Sequence, residues 1–140
     1  MARPKKCRWV TMKPGVTFFK PQGIPLRLLE HTVITIDEME AMRLSDYLGL
    51  SQEEVAKQMQ VSRPTVTRIL ARAHRAVADA LAHGKAIRIE GGDYRLVGQS
   101  RECRACGHRE TAPAGEAAPE TCSKCQSQDF GQLFLDKTRQ

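Results

Sequence analysis

The spacing of the cysteines near the C-terminus constrains the fold of this 140-residue sequence more than any other feature. Four of the five cysteines form two C-x2-C pairs with 15 residues between the pairs: Cys103, Cys106, Cys122 and Cys125. Two such pairs let two tight turns bring four thiolates to the corners of a tetrahedron, which is the closed geometry of a structural Zn2+ site. A disulfide framework does not require this spacing. The pattern predicts one structural zinc ion, with iron or free regulatory thiols as the alternatives.

The segment that carries these cysteines is too poor in apolar residues to build a core of its own. Outside the cysteines, its large apolar residues are Phe130, Leu133, Phe134 and Leu135. Such a segment needs a metal staple in order to fold. The stretch TAPAGEAAPE between the pairs has the composition of a flexible loop. We predict a small β-rich, zinc-ribbon-like module over residues 99–135, which would bind RNA polymerase or another protein, extend a DNA footprint or support dimerisation.

Capping patterns in the middle of the chain predict three closely spaced helices. Thr35 and Ser51 each stand three residues before a glutamate, as in a capping box. Ser62 can cap a third helix, which Gly84 would end. Three residues separate the last two helices, which is typical of a helix-turn-helix domain. We predict this domain over residues 35–84 and, for the whole chain, a mainly α fold in which the β-rich four-cysteine module follows it.

The third predicted helix has an apolar and a basic face when its residues are placed at about 100° intervals. The apolar positions are Val66, Ile69, Leu70, Ala73, Val77, Ala80 and Leu81. A recognition helix needs this division, because one face packs on its own domain while the outward first turns enter the major groove. The residues expected to contact DNA are Ser62, Arg63, Pro64, Thr65, Thr67, Arg68, Arg72 and Arg75. The alternative is an ordinary amphipathic helix whose basic face is only solvated.

Each residue type on this basic face suits a particular part of a duplex. Arginine offers two parallel donors to guanine O6 and N7, and a threonine methyl or a proline ring can contact a thymine methyl. Arg72 and Arg75 lie further along the helix, where contacts to backbone phosphates are expected. The sequence therefore predicts base contacts near the start of the helix and phosphate contacts behind them.

The N-terminus is basic and rich in proline, which predicts an extended arm over residues 1–34. The net charge is +6, and the first 20 residues contribute six basic residues and no acidic one. A polyanion such as DNA favours this distribution. Arg3, Lys5 and Lys6 are expected to contact DNA, either as a minor-groove AT-hook or as a basic tail without sequence preference. Residues 85–98 alternate apolar and polar types around Gly-Gly-Asp, which predicts a β-hairpin or linker.

Several separate motifs resemble those of one family of small prokaryotic proteins. They are LGLSQEEVAKQMQVSRPTVTRIL, MARPKKCRWV, FFKPQGIPL and TIDEMEAMRLSDY. The family is catalogued as domain of unknown function number 134, and its helix-turn-helix is similar to the fourth region of sigma-70 factors. The resemblance covers residues 1 to about 92 and implies a sigma-like DNA-binding fold, without an operator or a pathway. Gln60 departs from the usual glycine of the turn, where a left-handed backbone costs about 1 kcal/mol.

These features together predict a sequence-specific transcription regulator that binds double-stranded DNA as a homodimer on a two-fold operator. A cytoplasmic location is expected, because the chain lacks a signal peptide and an apolar run of about 18 residues. An enzyme is not expected, because there is no phosphate-cradling glycine loop and the metal site looks coordinatively full. The alternatives are an adaptor of the transcription machinery and a metal- or redox-responsive switch that uses the four cysteines.

Overall fold

Three α-helices follow one another in the described part of a computed structural model, which comprises residues 7–114 and 120–136. The first continues directly into a π-helical turn over Arg43–Tyr47. The helices are α1 (Ile36–Met42), α2 (Gln52–Met59) and α3 (Arg63–His83). None of the helices among these residues has the length and apolar character that a membrane span requires.

Each helix begins at its predicted capping residue. The Thr35 hydroxyl accepts a hydrogen bond from the Glu38 backbone N–H at 3.3 Å, and the Glu38 carboxylate accepts one from the Thr35 N–H at 2.9 Å. The hydroxyls of Ser51 and Ser62 each accept from the backbone N–H three residues ahead, at 3.2 and 3.3 Å. A cap of this kind stabilises a helix by about 1 kcal/mol. The caps therefore fix where α1, α2 and α3 start.

The three helices and the π-helical turn enclose one apolar core. Its buried members are Ala41, Leu44, Val55, Ala56, Met59, Val66, Ile69 and Leu70. The apolar face predicted for α3 thus packs inward, since Val66, Ile69, Leu70, Ala73 and Ala80 are all buried. Leu81, which the helical wheel places on the same face, is 79% exposed. A wheel gives the direction of a side chain along an ideal helix and not whether another element lies there to cover it.

Eight strands accompany the helices among the described residues and form three sheets. The central strand of one sheet, β4, pairs in parallel with β3 and antiparallel with β2. A second sheet pairs β1 with β5, and the third has the order β7-β6-β8. The strands are β1 (Arg8–Val10), β2 (Phe18–Phe19), β3 (His31–Ile34), β4 (Ala86–Ile89), β5 (Tyr94–Leu96), β6 (Gly98–Cys103), β7 (Arg109–Ala112) and β8 (Phe130–Asp136).

The prediction of a mainly α chain is therefore wrong, because the described residues form a mixed α/β fold. The strands β2 and β3 lie in the proline-rich segment that was predicted to be an extended arm, and they pair with β4 after the helices. A parallel pair needs a long crossover connection, here supplied by α1 to α3, and local patterning contains no signal for a partner so far along the chain. For the same reason β4 and β5 do not form the predicted hairpin: β4 joins β2 and β3, and β5 joins β1.

The chain divides into two compact units, each of which combines two separate segments of the sequence. One unit comprises Met1–Arg8 and Pro14–Tyr94, and the other comprises Trp9–Lys13 and Arg95–Gln140. Among the described residues, the helices and the β2-β4-β3 sheet belong to the first unit. The β7-β6-β8 sheet and the four paired cysteines belong to the second.

Candidate functional site

The turn between α2 and α3 holds the first candidate site. Gln60 has the left-handed backbone expected from its position, with φ 57° and ψ 45°. Its side-chain Nε2 donates a hydrogen bond to the Lys57 carbonyl at 2.7 Å, and this bond satisfies a carbonyl at the end of α2. The Val61 N–H donates to the Ala56 carbonyl at 3.1 Å. Two hydrogen bonds therefore set the tight turn that separates α2 from α3.

Side chains at the start of α3 are held by partners on the first turn of α2. The Arg63 guanidinium lies 3.3 Å from the Glu53 carboxylate. The Thr67 hydroxyl donates to the Gln52 side-chain oxygen at 2.6 Å. Sequence reasoning missed Gln52 and Glu53, because their spacing from α3 becomes meaningful only once the angle between the two helices is known. The two contacts orient the outward residues of α3, although the Arg63–Glu53 pair is exposed and contributes little to stability.

The residues of α3 that were expected to contact DNA lie on one accessible surface. Thr65 is half-buried, and the others are exposed: Ser62, Arg63, Pro64, Thr67, Arg68, Arg72 and Arg75. Within this surface, which we call the basic face of α3, the Arg68 guanidinium donates to the Thr65 hydroxyl at 3.3 Å. The three arm residues with the same expected role, Arg3, Lys5 and Lys6, lie outside the described residues.

The second candidate site is the group of four paired cysteines. Their sulfur atoms all lie within 4.8 Å of one another, and Cys103, Cys106, Cys122 and Cys125 each contribute one. The Cys103 and Cys125 sulfurs are 3.6 Å apart, and those of Cys106 and Cys122 are 3.5 Å apart. Four thiolates at 2.3 Å from a tetrahedral zinc ion would be separated by about 3.8 Å. The sulfur positions thus fit a metal ion bound by all four thiolates.

The two C-x2-C pairs have the same backbone conformation. In the first, the Cys103 N–H donates to the His108 carbonyl and the Gly107 N–H donates to the Cys103 carbonyl, both at 2.8 Å. The second pair repeats both hydrogen bonds at 2.8 Å, with Gln126 in the place of Gly107. Both residues are left-handed, with φ 76° for the glycine and φ 65° for the glutamine. This repeat presents two sulfurs from each pair to one centre.

Hydrogen bonds and burial shift the pKa values of these thiols apart. A backbone hydrogen bond from Cys106 is the main cause that lowers the pKa of Cys103 to about 7. The pKa of Cys125 rises to about 12: a backbone hydrogen bond from Ser127 lowers it, but burial and the three neighbouring thiols outweigh that bond. The Cys103 thiol thus loses its proton readily, while the Cys125 thiol resists ionisation because it would add a further negative charge next to the other sulfurs. A cation would remove that penalty and hold all four as thiolates.

A buried carboxylate connects the two cysteine pairs. Glu110 on β7 accepts a hydrogen bond from the backbone N–H of Ser123, which directly follows Cys122. Hydrogen bonds with Ser123 are the main cause of the lowered pKa of Glu110. His108 lies 3.8 Å from the same carboxylate and outside the four-sulfur set. Glu110 therefore fixes the second pair relative to the first, a role that the spacing of the cysteines does not reveal.

Comparison with known proteins relates the chain to a family without an assigned function. A family model described as "Protein of unknown function DUF134" matches residues 1–97. A UPF0251 protein of Moorella thermoacetica is 52% identical over 130 residues, which are 93% of this chain and 86% of that protein. Another, from Pelotomaculum thermopropionicum, is 47% identical over 133 residues, or 95% of this chain and 99% of that protein. No solved structure gives a significant match.

Proposed function

The chain belongs to the DUF134 family of proteins of unknown function, and we propose that it is a sequence-specific transcription regulator that binds double-stranded DNA. One observation carries the proposal: the first turns of α3 follow a three-residue turn after α2 and leave their arginines and hydroxyls exposed. A helix with one face packed on its domain and a polar N-terminal edge can enter the major groove. The protein acts as a binding protein and not as an enzyme.

The chemistry of the basic face supports a division between base and phosphate contacts. Arg63 and Arg68 lie in the first two turns of α3, where a guanidinium can donate to both acceptors of a guanine. Glu53 contacts Arg63, and Gln52 accepts a hydrogen bond from Thr67. Because these two side chains are already held in place, less side-chain freedom is lost when α3 binds DNA. A single helix-turn-helix buries little surface, and we propose that two copies bind a two-fold operator.

For the four-cysteine centre we propose structural Zn2+ as the metal. Four thiolates complete a tetrahedral zinc site and leave no position for a reacting water, so the ion would contribute folding energy and no catalysis. The residues that would hold it are Cys103, Cys106, Cys122 and Cys125. We further propose that the surface of this module contacts another protein, because the basic surface that suits DNA lies on α3.

The test of DNA binding is selection of genomic fragments by the purified protein, followed by affinity measurements on the enriched sequence. Arg68→Ala is expected to lower the preference for the enriched sequence over an unrelated duplex by about 5- to 150-fold, since one bidentate base contact is worth about 1–3 kcal/mol. Arg27→Ala is the matched control, because it removes the same charge from an exposed residue of the short 3-10 helix Leu26–Leu28, which precedes β3. A protein that enriches no sequence, or an Arg68→Ala variant with unchanged preference, contradicts the proposal.

A further inference from the structure

A groove between β3 and α3 adjoins the C-terminal end of the basic face of α3. It has a volume of about 360 Å3 and is lined by Thr32, Arg72, Arg75, Ala76 and Asp79. Four of these five residues are polar or charged. Pockets for small organic ligands are enclosed mostly by apolar and aromatic side chains. The lining of this groove suits a compact charged group instead.

Two guanidinium groups in the groove lack an acidic partner among the residues that the structure describes. Arg72 and Arg75 are exposed, and no ion pair in the described part of the chain includes either one. Since neither arginine is neutralised, their charges remain available to an anion. A planar guanidinium with several donors is well suited to the oxygens of a phosphate.

The one carboxylate in the groove is already neutralised by other residues. Asp79 lies 3.0 Å from the Lys85 ammonium and 2.9 Å from the His83 ring nitrogen. The hydrogen bond from Lys85, followed by that from His83, lowers the pKa of Asp79 and keeps it ionised in these pairs. Glu30, the other acid near Lys85, is 3.6 Å from it. The groove therefore keeps a positive balance from Arg72 and Arg75.

We infer that this groove binds a phosphate group, with the Arg72 and Arg75 guanidinium groups and the Thr32 hydroxyl as its donors. The inference rests on the proposed function for the source of the phosphate, which is the backbone of the bound DNA. Arg68, Arg72 and Arg75 fall within about 60° of one another around α3. Their side chains therefore form a continuous basic surface from the first two turns of α3, which we propose contact bases, to the groove. A duplex on those turns would place a flanking phosphate at Thr32, which adds β3 to the DNA contact surface.

The first experiment compares variants of the groove on two duplexes, the enriched sequence and an unrelated one, across a range of salt concentrations. Arg75→Ala is expected to weaken both complexes by the same factor and to reduce the slope of log K against log salt by about 1. Arg75→Lys keeps the charge and is expected to retain the slope. Thr32→Val is expected to weaken both complexes by about 2- to 10-fold through the lost hydrogen bond. Arg27→Ala, the charge-matched control, should leave the slope unchanged.

The outcomes separate this inference from the proposed function. If the wild-type protein binds DNA with sequence preference, and Arg75→Ala and Thr32→Val bind as tightly with the same slope, the groove does not bind the backbone. If the wild-type protein binds no DNA, the proposed function itself fails. The second experiment titrates inorganic phosphate into the DNA-free protein and follows the Thr32 and Arg75 resonances. Saturable binding of phosphate at micromolar concentration, with DNA affinity insensitive to both variants, would assign the groove to a free phosphate and overturn the backbone assignment.

Discussion

The Arg8 guanidinium lies 3.2 Å from the Asp37 carboxylate, and the two side chains are only 8% and 5% exposed. This ion pair joins β1 to the first turn of α1. The Arg8 Nε and the second carboxylate oxygen of Asp37 have no hydrogen-bond partner among the described residues. The pair is thus buried with two of its polar atoms uncompensated. A second carboxylate, that of Asp93, lies 3.9 Å from the Arg8 guanidinium and is 53% exposed.

Removal of one member of this pair should destabilise the protein. Arg8→Met leaves the Asp37 carboxylate buried without a counter-charge, and the expected loss is about 3–5 kcal/mol in the free energy of unfolding. Urea unfolding followed by circular dichroism measures it. The double variant Arg8→Met/Asp37→Leu should recover most of the loss, because it removes both charges. An Arg8→Met variant as stable as the wild type would show that the ion pair does not contribute to the free energy of unfolding.

Gly92 should tolerate no side chain, because its φ of 103° favours glycine and a Cβ there would overlap the Asp37 carboxylate. Gly92→Ala is expected to cost more than about 2 kcal/mol, since the strain of the left-handed backbone adds to the overlap. Gly91 is the matched control: its φ is 74° and a Cβ there meets nothing within 4 Å. Gly91→Ala should therefore show the backbone cost alone, about 1 kcal/mol. Equal losses in thermal unfolding of the two variants would contradict a close approach at Gly92.

Two glutamines occupy left-handed positions, and their replacement by glycine should have different effects. Gln126→Gly relieves the strain in the second cysteine pair, and we expect the metal-bound module to gain up to about 1 kcal/mol. Gln60→Gly relieves the same strain but loses the hydrogen bond from Gln60 to the Lys57 carbonyl. We therefore expect little net gain there. Thermal unfolding of both variants tests this difference, and a larger gain at Gln60 would contradict the capping role of its side chain.

Removal of the metal should unfold the β7-β6-β8 sheet and leave the helices. A chelator is expected to abolish amide protection from hydrogen exchange in β6 and β7 while α1, α2 and α3 keep theirs, because the proposed ion would supply the folding energy of the module. Glu110→Gln keeps four sulfurs but weakens the acceptor for the Ser123 N–H, and we expect about 10-fold weaker metal binding in competition with a chromogenic chelator. Glu102→Gln, an exposed substitution on β6, is the control. Protection of β6 and β7 that survives full chelation would contradict a structural metal.

Features set by residues close in sequence could be predicted, and features set by chain topology could not. The caps at Thr35, Ser51 and Ser62 and the strained turn at Gln60 depend on neighbours within about four residues, so the sequence contains their signals. The convergence of the cysteines was also predictable, because two C-x2-C pairs are a pattern of spacing. The pairing of β3 with β4, the Arg8–Asp37 ion pair and the approach of Thr32 to α3 each join distant segments. Local preferences carry no information about such contacts.

The parallel pairing of β3 with β4 ties the two ends of the helical segment to one sheet. The chain leaves β3 at Ile34 and returns from α3 at Ala86, the first residue of β4, which pairs with His31 at the other end of β3. The whole segment from α1 to α3 is therefore a crossover connection whose two ends are anchored on adjacent strands, so that part of the entropy of closing its loop is offset by the sheet. The basic face of α3 is consequently presented by a segment whose folding is coupled to that of the N-terminal strand β3.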